Sequence, residues 1–270
     1  RNQINQTMKI TVIGVGNIGG AILEGTVRKG IVEPANITAS DPHPQFEEKF
    51  TRKNMAANYT SDNVRAVQGA DLVIVAVKPW LVEKVMGEIA GALDRKKQAV
   101  VSIAAGVTFA QLEQYLSVAS LGAVELYRVI PNTAILLGRS VSFITRRNTS
   151  AAHDEQVRTL FAALGEIFDV DESEMTACTA LSSAGIAYAL RYIDAAAQGG
   201  KALGLDELKS LRIVMKTMDG ALALLEANSS RPQAEIDKVT TPGGVTLKGL
   251  DAMENGGFTR AVIDGLLATK

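Results

Sequence analysis

The chain reads as an α/β protein, a doubly wound parallel sheet followed by an all-helical domain, on three observations. Short, continuously apolar, β-branched runs alternate with helical segments up to about residue 170, the pattern of strands covered on both faces by crossover helices. A glycine cluster stands between the first such run and the first helix. From about Glu172 the strand patterns vanish, and helical periodicity rich in alanine and leucine takes over. The expected domains are 8–170 and 171–270, closely joined because no linker composition marks the boundary.

At 270 residues, with 47% hydrophobic and 21% charged residues, the chain can bury a full core in one or two domains. A net charge of -1 offers no basic field for nucleic acid and no polybasic patch for a membrane. No apolar run is long enough to span a bilayer and no secretory pattern opens the chain. Arg1 to Thr7 are polar, precede Met8 and are left outside the fold. One cysteine, Cys178, excludes an internal disulfide and a cysteine zinc cluster and suits the cytoplasm. Flanked by Ala177, Thr179 and Ala180, it reads as a small buried residue rather than a nucleophile. With only His43 and His153, neither a multi-histidine metal site nor a histidine-centred triad is expected. His153 falls in a polar helix, Ala151 to Leu164, and reads as solvated. The chemistry therefore calls for a reactive group that the side chains do not supply.

Taken in order, Lys9 to Ile13 is a buried strand entering Gly14-Val15-Gly16-Asn17-Ile18-Gly19-Gly20, and Ala21 to Gly30 is a helix ending in glycine. G-x-G-x-x-G between strand and helix is the dinucleotide fingerprint of a Rossmann-type domain. The first glycine allows the tight turn, the second lets a pyrophosphate reach the backbone, and the third lets helix pack on strand. Ile37 to Ser40 and Asp71 to Val77 are the next strands, followed by Ala99 to Ile103, a strand near Glu125 to Arg128, and Ser140 to Thr145. Ligands of such sheets sit at the carboxyl ends of the strands. This places Ala76, Val77, Lys78, Pro79 and Trp80, then Ala104, Ala105 and Gly106, then Pro131, Asn132 and Thr133 as candidate nicotinamide-side contacts, each also readable as an ordinary βα turn. Ser40 and Asp41 end the second strand, where a ribose is read. Asp41 would repel a 2′-phosphate, so the cofactor is expected to be NAD(P)H with a lean to NADH, some tolerance remaining through Ser40 and His43.

In the second half, Thr179 to Ala197 is apolar on most faces, as expected of a helix buried in a core or against another subunit. Leu205 to Glu226 is a second long helix, broken at Asn228 to Pro232. Near the end, Thr241-Pro242-Gly243-Gly244-Val245-Thr246 is a glycine turn into a further helix, with Thr246 expected as its N-cap. The amides and dipole at such a helix start can hold a small carboxylate.

The closing motif, the opening glycines and the order between them resemble pyrroline-5-carboxylate reductases over Met8 to Lys270. The most specific stretch is Val239 to Thr246, continuing through Gly249-Leu250 to Glu254. Ala76 to Pro79, Ala104 to Thr108, Arg128, Pro131 to Thr133, Leu181-Ser182, Gly185, Ala187-Tyr188 and Gly199-Gly200 support it. The resemblance implies a C-terminal helical dimerisation domain interlocked with that of a second subunit and each active site completed across the homodimer; dimers of that family often assemble further into decamers, and oligomer size beyond the dimer stays open. It also implies hydride transfer from the nicotinamide to the C=N carbon of a cyclic imine carboxylate, yielding L-proline. A protonated imine is already electrophilic, so no histidine base is needed, and placement does most of the work. In that reading Gly243, Gly244 and Val245 offer backbone amides to the substrate carboxylate, Thr241 is a further substrate-binding residue, Thr246 orients the imine nitrogen or helps relay a proton, and Lys78 and Asn132 position the nicotinamide or its ribose. Gly14, Gly16, Asn17, Ile18 and Gly19 hold the pyrophosphate side.

Ala134, Ser183, Ala184, Ile186, Gln198, Val245 and Asp41 depart from residues common in that family, most of them near the substrate side. An imine reductase acting on another ring, or a catalytically silent NAD-binding protein, therefore stays open. A β-hydroxyacid dehydrogenase ranks lower, because Gly185 is followed by no lysine within two helical turns.

Overall fold

A computed structural model describes residues 8–52, 55, 58–117 and 121–269. The segment preceding Met8 lies outside the described residues. The structure divides into two compact units, the second beginning at Ala184.

In the first unit the chain runs β1 (Ile10–Ile13), α1 (Asn17–Arg28), β2 (Ile37–Ser40), α2 (Pro44–Arg52), β3 (Asn58–Thr60), α3 (Asn63–Ala66), β4 (Leu72–Val75), α4 (Val82–Ile89), β5 (Ala99–Ser102), α5 (Phe109–Tyr115), β6 (Glu125–Ile130), β7 (Ser140–Arg147), α6 (Ala151–Ala162), β8 (Gly165–Asp169) and α7 (Met175–Thr179). The strands form one sheet in the order β3-β2-β1-β4-β5-β6-β7-β8. It is parallel from β3 to β6, antiparallel between β6 and β7, and parallel again to β8. Strand order reverses between β1 and β4, so this is the doubly wound sheet expected, with two further strands, β7 and β8, appended at one edge.

The apolar runs explain why these residues became central strands. All four residues of β4 are fully buried. Alternation sends Leu72 and Ile74 into one core layer with Ile10, Val12, Ile22 and Leu23, and Val73 and Val75 into the opposite layer with Val82, Met86 and Ile89. β3 and β8 carry no such run, which is why neither is legible in the sequence. They form because a strand edge is there to pair with.

After α7 the chain makes a π-helical turn, Ala180–Ala184. Ser182 in that turn is buried and accepts from Asn132 Nδ2 at 3.0 Å. Cys178 is half-buried beside the cluster of Ile130, Phe143 and Met175, less enclosed than expected. Burial, aided by Glu174, pushes its thiol pKa up, the opposite of an activated nucleophile. His153 is not solvated. It is buried, with Nδ1 2.8 Å from Glu125 Oε2 and Nε2 3.2 Å from the Lys97 carbonyl. Its helix is polar overall, but this face packs over the ends of β5 and β6.

The second unit comprises α8 (Gly185–Ala202), α9 (Glu207–Asn228), α10 (Pro232–Lys238), α11 (Val245–Asn255) and α12 (Phe258–Leu267). Asp206 caps α9, accepting from the Leu208 and Lys209 amides at 3.0 Å. Gly200 lets α8 and α9 approach, since a Cβ there would lie 2.5 Å from Ser210 Oγ. Among the described residues of this unit only Ala197 and Ser210 are buried. Leu190, Leu208, Met215, Leu222, Leu224, Val262 and Ile263 are all exposed. Among the described residues, no helix is long and apolar enough to cross a membrane.

Candidate active site

The β1–α1 loop is built by glycines in distinct roles. Gly14 has φ +86°, and a Cβ on it would stand 2.8 Å from Val77 Cγ1. A Cβ on Gly19 would stand 1.8 Å from the Gly14 carbonyl oxygen, so only glycine lets α1 lie this close to the turn. Gly16, the N-cap of α1, meets nothing within 4 Å and lines a groove. The first amides of α1 after it have no intrahelical acceptor, the arrangement that can hold an anion.

That groove, of about 710 Å³, opens where the strand order reverses. The structure brings to it Gly14, Gly16, Asn17 and Ile18, then Ser40 and Asp41, then Ala76, Val77, Lys78 and Pro79, then Ala104 and Ala105. Gly19, Gly106 and Asn132 are not among its lining residues. Gly19 is packed beneath the loop. Asn132 is buried, its Oδ1 accepting from the Ala134 amide at 3.1 Å and its amide donating to Ser182. An open-faced glycine, a helix start and a groove of this size fit a dinucleotide.

At the end of β2 the details depart from expectation. Asp41 is 8% exposed, and its carboxylate is already occupied. Oδ2 accepts from the Val15 amide at 3.1 Å, and Oδ1 meets the His43 amide at 3.0 Å and His43 Nδ1 at 2.8 Å. Asp41 thus braces the glycine loop. Ser40 is fully buried and donates to Asn63 Oδ1 at 2.8 Å. Asn63 in turn donates through Nδ2 to Glu88 Oε2 at 2.7 Å. Asn63, Lys84 and Glu88 line the groove, and sequence reasoning missed all three. Their only sequence signal is helical spacing: Lys84 and Glu88 lie four apart on α4.

In the second unit, Gly243 has φ +73° and the Gly244 amide donates to the Thr241 carbonyl at 2.9 Å, a tight turn with Pro242 inside it. A Cβ on Gly244 would come 2.6 Å from Thr241 Oγ1. The N-cap of α11 is Gly244, not Thr246. The helix begins at Val245, and Thr246 is its second residue, because the turn closes at Gly244, two residues earlier than a threonine cap would require. Val245 is 85% exposed. The amides of Val245, Thr246 and Leu247 have no intrahelical acceptor by their position in the first turn.

A glycine-floored groove at the switch point of a doubly wound sheet, followed by a helical unit with almost no core of its own, defines the class: a two-domain oxidoreductase built on a nicotinamide-binding domain. Known proteins narrow this. A family model described as pyrroline-5-carboxylate reductase dimerisation matches residues 172–270, and one described as NADP oxidoreductase, coenzyme F420-dependent, matches residues 9–106. The chain is 32% identical to the pyrroline-5-carboxylate reductase of Methanosarcina acetivorans, over 97% of this chain and 95% of that protein. It is similar to the solved Streptococcus pyogenes 1-pyrroline-5-carboxylate reductase at 28% identity and TM-score 0.85, covering 97% of this chain and 96% of the other. It shares the fold of the Plasmodium falciparum pyrroline carboxylate reductase solved with NADP bound, at 24% identity and TM-score 0.87, covering 98% and 96%. The chain belongs to the pyrroline-5-carboxylate reductase family.

Proposed function

We infer that this chain reduces L-1-pyrroline-5-carboxylate to L-proline, the last step of proline synthesis, with NADH as the preferred donor. Family membership over nearly the whole chain carries the reading, and the Thr241–Thr246 turn supports it. That turn presents an uncapped helix start to solvent beside two glycines, a fit for a small carboxylate. In this reading the free first-turn amides from Val245 onward hold the substrate carboxylate, with Gly243 leaving room for it, while the Gly244 amide is spent on closing the turn against Thr241. The Thr246 hydroxyl meets the imine nitrogen and keeps its proton in place. Reduced nicotinamide, when bound, supplies the hydride to the imine carbon. Lys78 and Ala104 shape its end of the groove, and Asp41 keeps the glycine loop in register through Val15. Asn132 acts at one remove, holding the turn after β6 rather than touching the cofactor.

We also assign the helical unit to a homodimer interface. Its near lack of buried residues supports this, because an isolated unit of this size cannot leave its apolar side chains in water. Oxidation of NADH and NADPH, followed spectrophotometrically with pyrroline-5-carboxylate, a six-membered imine carboxylate and a 2-hydroxy acid, tests the activity. The five-membered ring should turn over fastest. Faster turnover of the larger ring would reassign the substrate, and cofactor binding without any turnover would identify a silent dinucleotide-binding protein.

A further inference from the structure

Two carboxylates stand near the carboxyl end of β2, and they are placed very differently. Asp41 is enclosed, with both oxygens engaged by the Val15 amide and by His43. Three donors already occupy it, although it still lines the groove. Glu88, on α4, is 37% exposed and lines the groove. Its Oε2 accepts from Asn63 Nδ2 at 2.7 Å, and Asn63 Oδ1 accepts from the buried Ser40 hydroxyl at 2.8 Å. The chain of two hydrogen bonds has one sense. A carboxylate only accepts, so Glu88 turns the amide nitrogen of Asn63 toward itself, and the amide oxygen must then face the Ser40 hydroxyl. Glu88 is thereby fixed two hydrogen bonds from the strand end where the ribose of a bound dinucleotide is read.

We propose that Glu88, held by Asn63, is the anion that selects the cofactor by its ribose, accepting from a 2′-hydroxyl and repelling a 2′-phosphate. The proposal rests on the dinucleotide reading of the groove. It moves the main discrimination from Asp41, which also lines the groove but spends its acceptors bracing the loop, to a more exposed side chain. It also engages the Asn63 amide, a neutral donor that a phosphate would otherwise use. Lys84 Nζ lies 3.9 Å from Glu88 Oε1 and is largely exposed, so it offsets part of the repulsion. Removing the Glu88 charge would release Lys84 as well, and both changes favour the phosphate.

Dissociation constants for NADH and NADPH, measured on the full chain by nicotinamide fluorescence, provide the test. A unit charge about 6 Å from a phosphate of charge near -2 in water changes affinity by about tenfold. Glu88→Gln should therefore lower the ratio Kd(NADPH)/Kd(NADH) by about tenfold. Asp41→Asn should weaken both cofactors and, its charge being partly compensated by the three donors around it, lower the ratio by less than Glu88→Gln does. A ratio unmoved by Glu88→Gln, or moved chiefly by Asp41→Asn, overturns the assignment. Failure of the unmodified chain to bind either dinucleotide overturns the groove reading along with it. Binding without turnover of pyrroline-5-carboxylate removes only the substrate assignment and leaves the two ratios decisive.

Discussion

Two glycines of one loop should fail in opposite ways when each gains a methyl group. On Gly19 an added Cβ lies 1.8 Å from the Gly14 carbonyl oxygen, 3.0 Å from its carbon and 3.1 Å from Ala76 Cβ. Ordinary nonbonded contact needs about 3.5 Å, so the overlap is about 1.7 Å. The obstacle is backbone held on both sides. The Gly14 amide donates to the Ser40 carbonyl at 2.8 Å, and the Ala76 amide donates to the Ile13 carbonyl at 2.8 Å. No side chain can swing away, and α1 must lift off β1. Overpacking of this kind costs about 3 kcal/mol, which for a domain of this size is roughly 6–12 °C in Tm. Gly16→Ala meets no atom within 4 Å. It should cost no more than about 1 kcal/mol of stability, the usual penalty of alanine at an N-cap. Its methyl group stands at the groove wall, so dinucleotide affinity should fall at least about tenfold, a loss of about 1.4 kcal/mol. Urea unfolding and cofactor titration of both variants give the four numbers needed. If Gly16→Ala binds cofactor like the parent, or unfolds as easily as Gly19→Ala, the division of labour argued for this loop is wrong.

Other consequences can be measured on the same material. Thr246→Ala should lower kcat by more than it raises the Kd for either cofactor; unchanged steady-state kinetics would remove its assigned role. Gly244→Ala should damage the same turn through Thr241, raising KM for the imine while cofactor affinity holds. Arg128 is 5% exposed and donates to Glu172 Oε1 at 2.8 Å, an oxygen that also accepts from the Phe109 amide at 2.7 Å. Glu172→Gln should therefore destabilise by about 3 kcal/mol through the buried cation it strands. The double variant with Arg128→Met should cost less than the sum of the two single changes, read by urea unfolding. Burial pushes the Glu125 carboxyl pKa up, but the Ser150 amide, His153 and the Ser150 hydroxyl more than reverse this and hold it below its usual range. A depressed carboxyl contributes fully above its unfolded pKa and loses that contribution as pH falls through the folded value. Glu125→Gln should cost about 1–3 kcal/mol at pH 7, with the gap from the parent closing in acid. A gap that widens in acid would reverse the sign assigned to this carboxyl.

The local signals in this chain are those set by short-range physics. Continuous apolar runs specify β1, β4 and β5, since such residues cannot face water on either side of a strand. The glycine spacing specifies the β1–α1 loop, since Gly14 and Gly19 occupy positions no side chain can enter. The turn at Thr241 to Gly244 is equally local, and its helix start missed the expected cap by two residues because Gly244 already closes it.

What only tertiary structure decided are the pairings between residues far apart in the chain. β3 and β8 are strands because neighbours offered them an edge, not because of their own residues. The sequence alone determined that an acidic residue ends β2. Only packing decided that Asp41 would turn toward Val15, and that Glu88, 47 positions further along, would be the more exposed carboxylate of the groove. His153 was sequestered in the same manner by Glu125 and Lys97, 28 and 56 residues away. Charge and periodicity identify which groups a chain carries. Whether a charge meets solvent, a ligand or a buried amide depends on which distant backbone comes to rest beside it.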